Sequence, residues 1–188
     1  DYAVSPDGIS IFYPRCEETE KACRLLKRDL ASGVDTEIYQ GPYEEPFTIA
    51  LARDGKALAL FSRHREDVNA ERIIRVVATD GGTPREVSSG RFTFASNAPI
   101  NALAFSADGK YLFLPRKTTP SEEPGWSLLR LPIEGGEPQE LGLKMLRFSN
   151  LSAHPDGQRI LFASRGTEEK STEIWAIEDF LPGATAEP

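Results

Sequence analysis

Four times along this 188-residue chain the same cassette recurs: an apolar stretch, an Asp-Gly pair, a second apolar stretch ending in arginine, a polar loop and a third apolar stretch. The pairs are Asp7-Gly8, Asp54-Gly55, Asp108-Gly109 and Asp156-Gly157, spaced 47, 54 and 48 residues apart. A period near fifty points to propeller blades or another repeat array, in which each unit buries its faces mostly against its neighbours.

Alternating apolar positions on either side of a glycine-containing turn are the local signature of a β-hairpin. In the third repeat, residues 101–106 alternate around Leu103 and Phe105, Ala107-Asp108-Gly109 turns the chain, and residues 110–114 return with Leu112 and Leu114 on one face. Residues 127–133 give a third strand, Glu134-Gly135-Gly136 a second turn, and residues 138–141 a short outer strand. The second repeat follows the same order over 48–52, 57–61, 72–78 and 85–88, with Asp80-Gly81-Gly82 as its second turn, and the first repeat has Ser32-Gly33 there. The fourth supplies strands at 150–153, 159–163 and 173–177, and then Leu181-Pro182-Gly183 leads into a small polar tail. The expectation is an all-β fold with very little helix. It is a partial β-propeller of about four antiparallel four-stranded blades, near 1–43, 46–90, 99–143 and 148–180, with a tail at 181–188, the last blade lacking its outer strand. Asp1-Tyr2 enters the first strand directly, so further blades are expected before Asp1 and the chain reads as the C-terminal part of a longer protein. An open arc of this kind leaves sheet edges exposed.

Glycine in the four Asp-Gly turns answers a backbone need, because a β-carbon at positive φ costs roughly 1 kcal/mol. Asp7, Asp54, Asp108 and Asp156 serve the same turns, since a short carboxylate accepts a backbone N–H two residues on. They are read as structural with Gly8, Gly55, Gly109 and Gly157. His154 precedes Pro155-Asp156-Gly157 where the first repeat has Ser5, and is read as packing its turn; His64 lies in a charged loop. Cys16 and Cys23, the only cysteines, flank the polar loop of the first repeat. They are either a disulfide clipping two strands together, which implies an oxidising compartment, or two free thiols.

A net charge of −7 opposes binding to a phosphate backbone, which needs clustered Lys and Arg. No apolar run reaches the roughly twenty residues that cross a bilayer, so this segment is not expected to insert into a membrane. The sequence carries no nucleophile elbow, zinc-binding helix motif, P-loop or dinucleotide-binding glycine pattern, and it calls for no catalytic residue, metal or cofactor. Adjacent acids such as Glu44-Glu45 and Glu122-Glu123 do not preset the opposed geometry of a glycosidase pair and read as solvated loop charge. One pattern is a candidate for ligand binding. The second strand ends in arginine in every repeat, at Arg15, Arg63, Arg116 and Arg165, and equivalent blades would bring four guanidiniums to one face for an anionic ligand. Glu17, Glu66, Glu122 and Glu168 follow within a few positions, so loop ion pairs explain the same pattern.

The segments Ser5-Pro6-Asp7-Gly8, Phe105-Ser106-Ala107-Asp108-Gly109 and His154-Pro155-Asp156-Gly157, each followed by an apolar strand, resemble the WD40-like repeats of TolB-type β-propellers. Arg53-Asp54-Gly55 departs from that form. The resemblance implies a part of a six-bladed disc. Leu26 to Gly33, and Glu173-Ile174-Trp175 followed by Phe180-Leu181-Pro182, are similar to C-terminal propellers of bacterial multidomain signalling proteins. That likeness implies a periplasmic or extracytoplasmic sensor, with a kinase or winged-helix domain and a membrane span upstream. Three function classes follow. The first is a non-catalytic module binding a protein or a small anionic ligand through polar loops near 16–22, 63–71, 116–125 and 165–172. The others are the propeller of a serine peptidase and a metal-dependent propeller enzyme such as a lactonase, for which Asn101 and Asn150 are the inward candidates.

Overall fold

The computed structural model describes residues 2–43, 45, 47–62, 72–90, 103–117, 125–146, 148–165 and 172–178. They form four antiparallel sheets arranged as propeller blades. Blade 1 is β1 (Ala3–Val4), β2 (Ser10–Glu17), β3 (Ala22–Asp29) and β4 (Asp35–Pro42); blade 2 is β5 (Phe47–Leu51), β6 (Ala57–Ser62), β7 (Arg72–Ala78) and β8 (Arg85–Gly90). Blade 3 is β9 (Ala104–Phe105), β10 (Tyr111–Lys117), β11 (Trp126–Pro132) and β12 (Gln139–Met145). Blade 4 has three strands, β13 (Ser149–Ala153), β14 (Arg159–Arg165) and β15 (Thr172–Glu178). The described residues thus form four blades, and no helix lies among them.

Within each blade every strand hydrogen-bonds its sequence neighbour, and the five-residue Asp-Gly connections join the first strand to the second. The inner strands pack side by side around a hub, β1 on β5, β5 on β9 and β9 on β13. The antiparallel order puts every Asp-Gly turn on one end of the blades, the turn face, and every connection between second and third strands on the other, the loop face.

Burial between blades explains the sequence pattern. Phe12, Cys23, Leu25 and Ile38 of blade 1 meet Phe47, Ile49, Leu58, Leu60 and Val77 of blade 2 in one core. A second core joins the opposite face of blade 2, through Ala50, Ala52, Ala59 and Ile74, to blades 3 and 4. Blade 2 is therefore buried on both faces, which is why β5 and β6 read as nearly unbroken apolar runs.

The outer strands run longer than the sequence suggests. β12 extends through Met145 where residues 138–141 were expected, because Gly142, at φ 72°, keeps the strand going through an irregularity in its pairing with β11. Register shifts also occur between β3 and β4 and between β7 and β8. There Ile38 and Val87 are the unpaired residues, and both turn inward to the cores. The inner strand of blade 3 is described at Ala104–Phe105, and residues 101 and 102 of the expected 101–106 lie outside the described residues. The first polar loop is also shorter than expected: Cys16, Glu17 and Ala22 are paired strand residues, leaving a turn over 18–21 with Lys21 at φ 51°. Residues 63–71, 118–124 and 166–171, most of the other three loops, and the tail at 181–188 lie outside the described residues.

Two expectations follow. Gly8 and Gly55 have φ of 74° and 72°, but a β-carbon at Gly8 meets open space whereas one at Gly55 lies 2.9 Å from Cδ of Pro6. Gly8→Ala should cost about 1 kcal/mol, and Gly55→Ala roughly 1 kcal/mol or more beyond that, read as the larger loss in Tm; equal losses would contradict the packing of Pro6 on Gly55. The second concerns the disulfide between Cys16 and Cys23, which face each other directly in the β2–β3 register seven residues apart in sequence. Closing so short a loop contributes about 2–3 kcal/mol, so reduction should lower Tm by about 5–10 °C. An unchanged Tm with both thiols titrated as free would refute it.

Candidate functional site

The four Asp-Gly turns share one geometry. The N–H of Gly8, Gly55, Gly109 and Gly157 donates to the carbonyl of Ser5, Ala52, Ser106 and His154 respectively, at 2.9–3.0 Å. Oδ1 of Asp7, Asp54, Asp108 and Asp156 accepts the N–H of Ile9, Lys56, Lys110 and Gln158, at 3.0, 2.9, 3.1 and 2.9 Å. The residue opening each turn tunes it. Ser5 and Ser106 donate their hydroxyls to Asp7 and Asp108 at 2.5 and 2.6 Å, and each hydroxyl accepts the N–H five residues on. Ser5 and the N–H of Ile9 hold the Asp7 carboxyl below its usual range. Burial pushes Asp108 up, and the Ser106 hydroxyl and Lys110 N–H more than offset it.

In blade 4 a charged cluster replaces the serine. Oδ2 of Asp156 lies 2.9 Å from Nδ1 of His154, accepts Nε of Arg159 at 2.9 Å, and lies 2.8 Å from its Nη2. The N–H of Gln158, against burial and with help from Arg159 and His154, takes Asp156 down to about 2. Because the folded value is depressed, ionised Asp156 stabilises the fold above the ordinary carboxylate pKa of ~3.9. That contribution is lost as pH falls from about 4 through about 2. Asp156→Asn should therefore flatten part of the decline in Tm over this window while lowering Tm at pH 7; a variant with the same acid limb as the parent would contradict the assignment.

The inner strands line an open cleft of about 550 Å³ at the hub. All four blades reach it, through Tyr2 and Ala3, Ile49 to Leu51, Leu103 to Phe105, and Asn150 to Ala153. Most of this lining is apolar. Asn150, Ser152 and Tyr2 are exposed there. Asn150 adopts φ 52°, a left-handed conformation that asparagine tolerates better than most residues, where β13 shifts register against β14 between Ser149 and Ser152. Asn101 lies outside the described residues. Among the described residues no group of three or more His, Cys, Asp or Glu side chains is placed to hold a metal ion.

Arg53 also lines the hub, at its turn-face end, and donates Nη1 to the Pro155 carbonyl at 2.6 Å, from blade 2 to blade 4. Its departure from the repeat pattern is visible in the sequence, but only the fold shows where the departure leads.

Of the four arginines that the sequence places at the ends of second strands, the two with described side chains are held by local partners. Arg15 pairs with Glu17 at 2.9 Å, and Arg116 pairs with Glu140 of β12. Arg165 ends β14 opposite Thr172; its side chain and Arg63 lie outside the described residues. The disulfide sits at the loop-face end of blade 1, with Cys23 fully buried in the core shared with blade 2.

No protein-family model matches the sequence, and no curated protein matches it. Solved structures do. TolB from Acinetobacter baumannii superposes with a TM-score of 0.69 at 15% identity, over 95% of this chain and 40% of that one. A putative TolB from Agrobacterium tumefaciens gives 0.68 at 13% identity, over 96% and 61%. Acylaminoacyl peptidase from Pyrococcus horikoshii gives 0.65 at 16% identity, over 93% and 30%. The chain thus spans 40% and 61% of the two TolB chains. At these identities the likeness establishes the fold, which is the β-propeller found in TolB-type proteins.

Proposed function

We propose that this chain is a non-catalytic recognition module that binds a protein or small anionic ligand, with its principal contact at the hub. The observation that carries the reading is the hub cavity, to which inner strands of all four blades contribute. Concave, largely apolar sites with a few converging polar groups are where propeller scaffolds offer a ligand most surface. The likeness to TolB supports a binding module. The disulfide supports a periplasmic or other oxidising compartment, and upstream signalling domains belong to the same proposal. A second reading, the propeller of a serine peptidase, is supported by the likeness to acylaminoacyl peptidase; in it the hub would govern access to a separate hydrolase domain.

Arg15, Arg63, Arg116 and Arg165 form the loop-face part of the proposal. There they would exchange local carboxylates such as Glu17 and Glu140 for those of a partner. Exposed ion pairs of this kind contribute about 1 kcal/mol or less, so the exchange has a low barrier in free energy.

Site-specific photocrosslinking in the native host tests both parts. A benzoylphenylalanine at Ser152, in the hub, should give a discrete adduct that is absent from the same probe at Thr36 on the outer strand β4. Equal labelling at both positions would sink the hub reading. A probe at Glu18 reports the loop face, and its adduct should disappear in an Arg15→Gln, Arg116→Gln variant; an unaffected adduct there removes the arginines and leaves the hub.

A further inference from the structure

The turn residue before each Asp-Gly pair is Pro6, Arg53, Ala107 or Pro155. Its place in the fold is against the glycine of the next blade. Cδ of Pro6 lies 2.9 Å from where a β-carbon of Gly55 would stand, and Cβ of Ala107 lies 3.7 Å from the corresponding point at Gly157. Arg53 does not take that place, for a β-carbon at Gly109 would meet nothing within 4 Å. Its side chain instead spans the hub mouth to the carbonyl of Pro155, 102 residues away.

Arg53 is also the single charged residue among the described residues that line the hub cavity, in a chain whose net charge is −7. Among the described residues no carboxylate pairs with it. A guanidinium offers five N–H donors in a planar fork that fits one carboxylate in two parallel bonds. A neutral carbonyl, as held here, uses little of that capacity. Ile49, Leu51, Leu103, Phe105 and Leu151 border the cavity behind it, all but Leu51 buried in the cores between blades. The exposed residues Asn150, Ser152 and Tyr2 border the same space. From Asn150 to Ala153 the lining follows β13, and His154 and Pro155 carry it into the turn that Arg53 reaches.

Resting on the reading of the hub as the recognition site, we infer that it takes the free C-terminal carboxylate of a short, extended peptide, with Arg53 as the carboxylate-binding group. The peptide enters from the loop face and ends at the turn face. A phosphate carries about −1.5 to −2 charge at neutral pH, more than the one guanidinium offsets. A fatty acid would match the charge, but its chain would strip water from Asn150, Ser152 and Tyr2 and return no hydrogen bond. Peptide amides satisfy those groups.

The test is fluorescence anisotropy on the intact chain, with dye-labelled pentapeptides carrying Ala, Val or Leu at each position, made as free acids and as C-terminal amides. The acids should bind about tenfold or more tightly than the amides, the scale of one charge-assisted bond pair. Arg53→Gln should erase the difference and Arg53→Lys retain part of it. Arg85→Gln, at an exposed pair with Glu134, should change nothing. If Arg53→Gln lowers Tm enough to confuse the comparison, the acid-to-amide ratio in the parent and in Arg53→Lys decides the matter. Equal binding of acid and amide overturns the inference while leaving the hub as a recognition site. Displacement of the acids by decanoate at equal concentration overturns the peptide assignment. If neither peptide binds, the inference fails, and the Ser152 crosslink alone decides whether the hub reading survives.

Discussion

Everything in this structure depends on one blade burying its sheet face against the next. A four-stranded sheet of this size cannot stand alone in water with an apolar face uncovered, so the blades must be complementary in relief as well as apolar. Blade 2 shows how that is achieved. Along β5 and β6, large and small residues alternate: Phe47, Ile49, Leu58 and Leu60 project to blade 1, while Ala50, Ala52 and Ala59 project to blade 3. The alanine side lets blade 3 approach with its bulk, including Phe105, Leu112 and Leu114. A leucine in place of Ala59, which is fully buried, would hold the two blades apart.

The same requirement explains which parts of the fold were legible in the sequence. Each Asp-Gly turn announces itself because its residues are fixed by local geometry: a glycine at φ near 70° and a carboxylate bonded two residues on. Hairpins follow from turns, and blades from hairpins. The outer strands were misjudged for a different reason. Gly142 looks like a terminator, yet its positive φ accommodates an irregularity that returns Leu143 and Met145 to the flank of the core. Ile38 and Val87 are single apolar residues in polar surroundings, too sparse to set a strand period, and their role as inward-turned bulge residues appears only once the neighbouring blade is in place. The hub was legible least of all, since four inner strands from across the chain build it.

The two end blades treat their outward faces differently. On blade 1, strand alternation sets Arg24, Leu26 and Arg28 opposite to the face that meets blade 2. Arg28 binds Asp35 through Nε and Nη2 at 2.9 and 2.7 Å, and Arg24 binds both Glu20 and Glu37. The guanidinium of Arg28 also stands 5.9 Å from the ring centre of Tyr13. These stems cover Leu26, which is only 4% exposed although it faces away from the core. Blade 4 has no such lattice among the described residues, and Ile174 is 81% exposed.

At the turn face the packing rule and the binding site compete for one position. Pro6 and Ala107 seat themselves on the next blade's glycine, and each such contact helps fix the angle between neighbours. Arg53 gives up that contact at the junction of blades 2 and 3, where the glycine side of Gly109 stands open. The junction tolerates the loss because the alanine-lined face of blade 2 and the leucines of blade 3 already bury a continuous core there, with Leu112, Leu129 and Leu131 enclosed. Between blades 1 and 2 the proline contact is kept. The arginine thus stands at a junction whose core closes without it, and its bond to Pro155 reaches past blade 3 to the far side of the hub. A residue placed for stability alone would have lain on Gly109; one whose guanidinium is held at the mouth of an otherwise uncharged lining is placed where an incoming charge would meet it first.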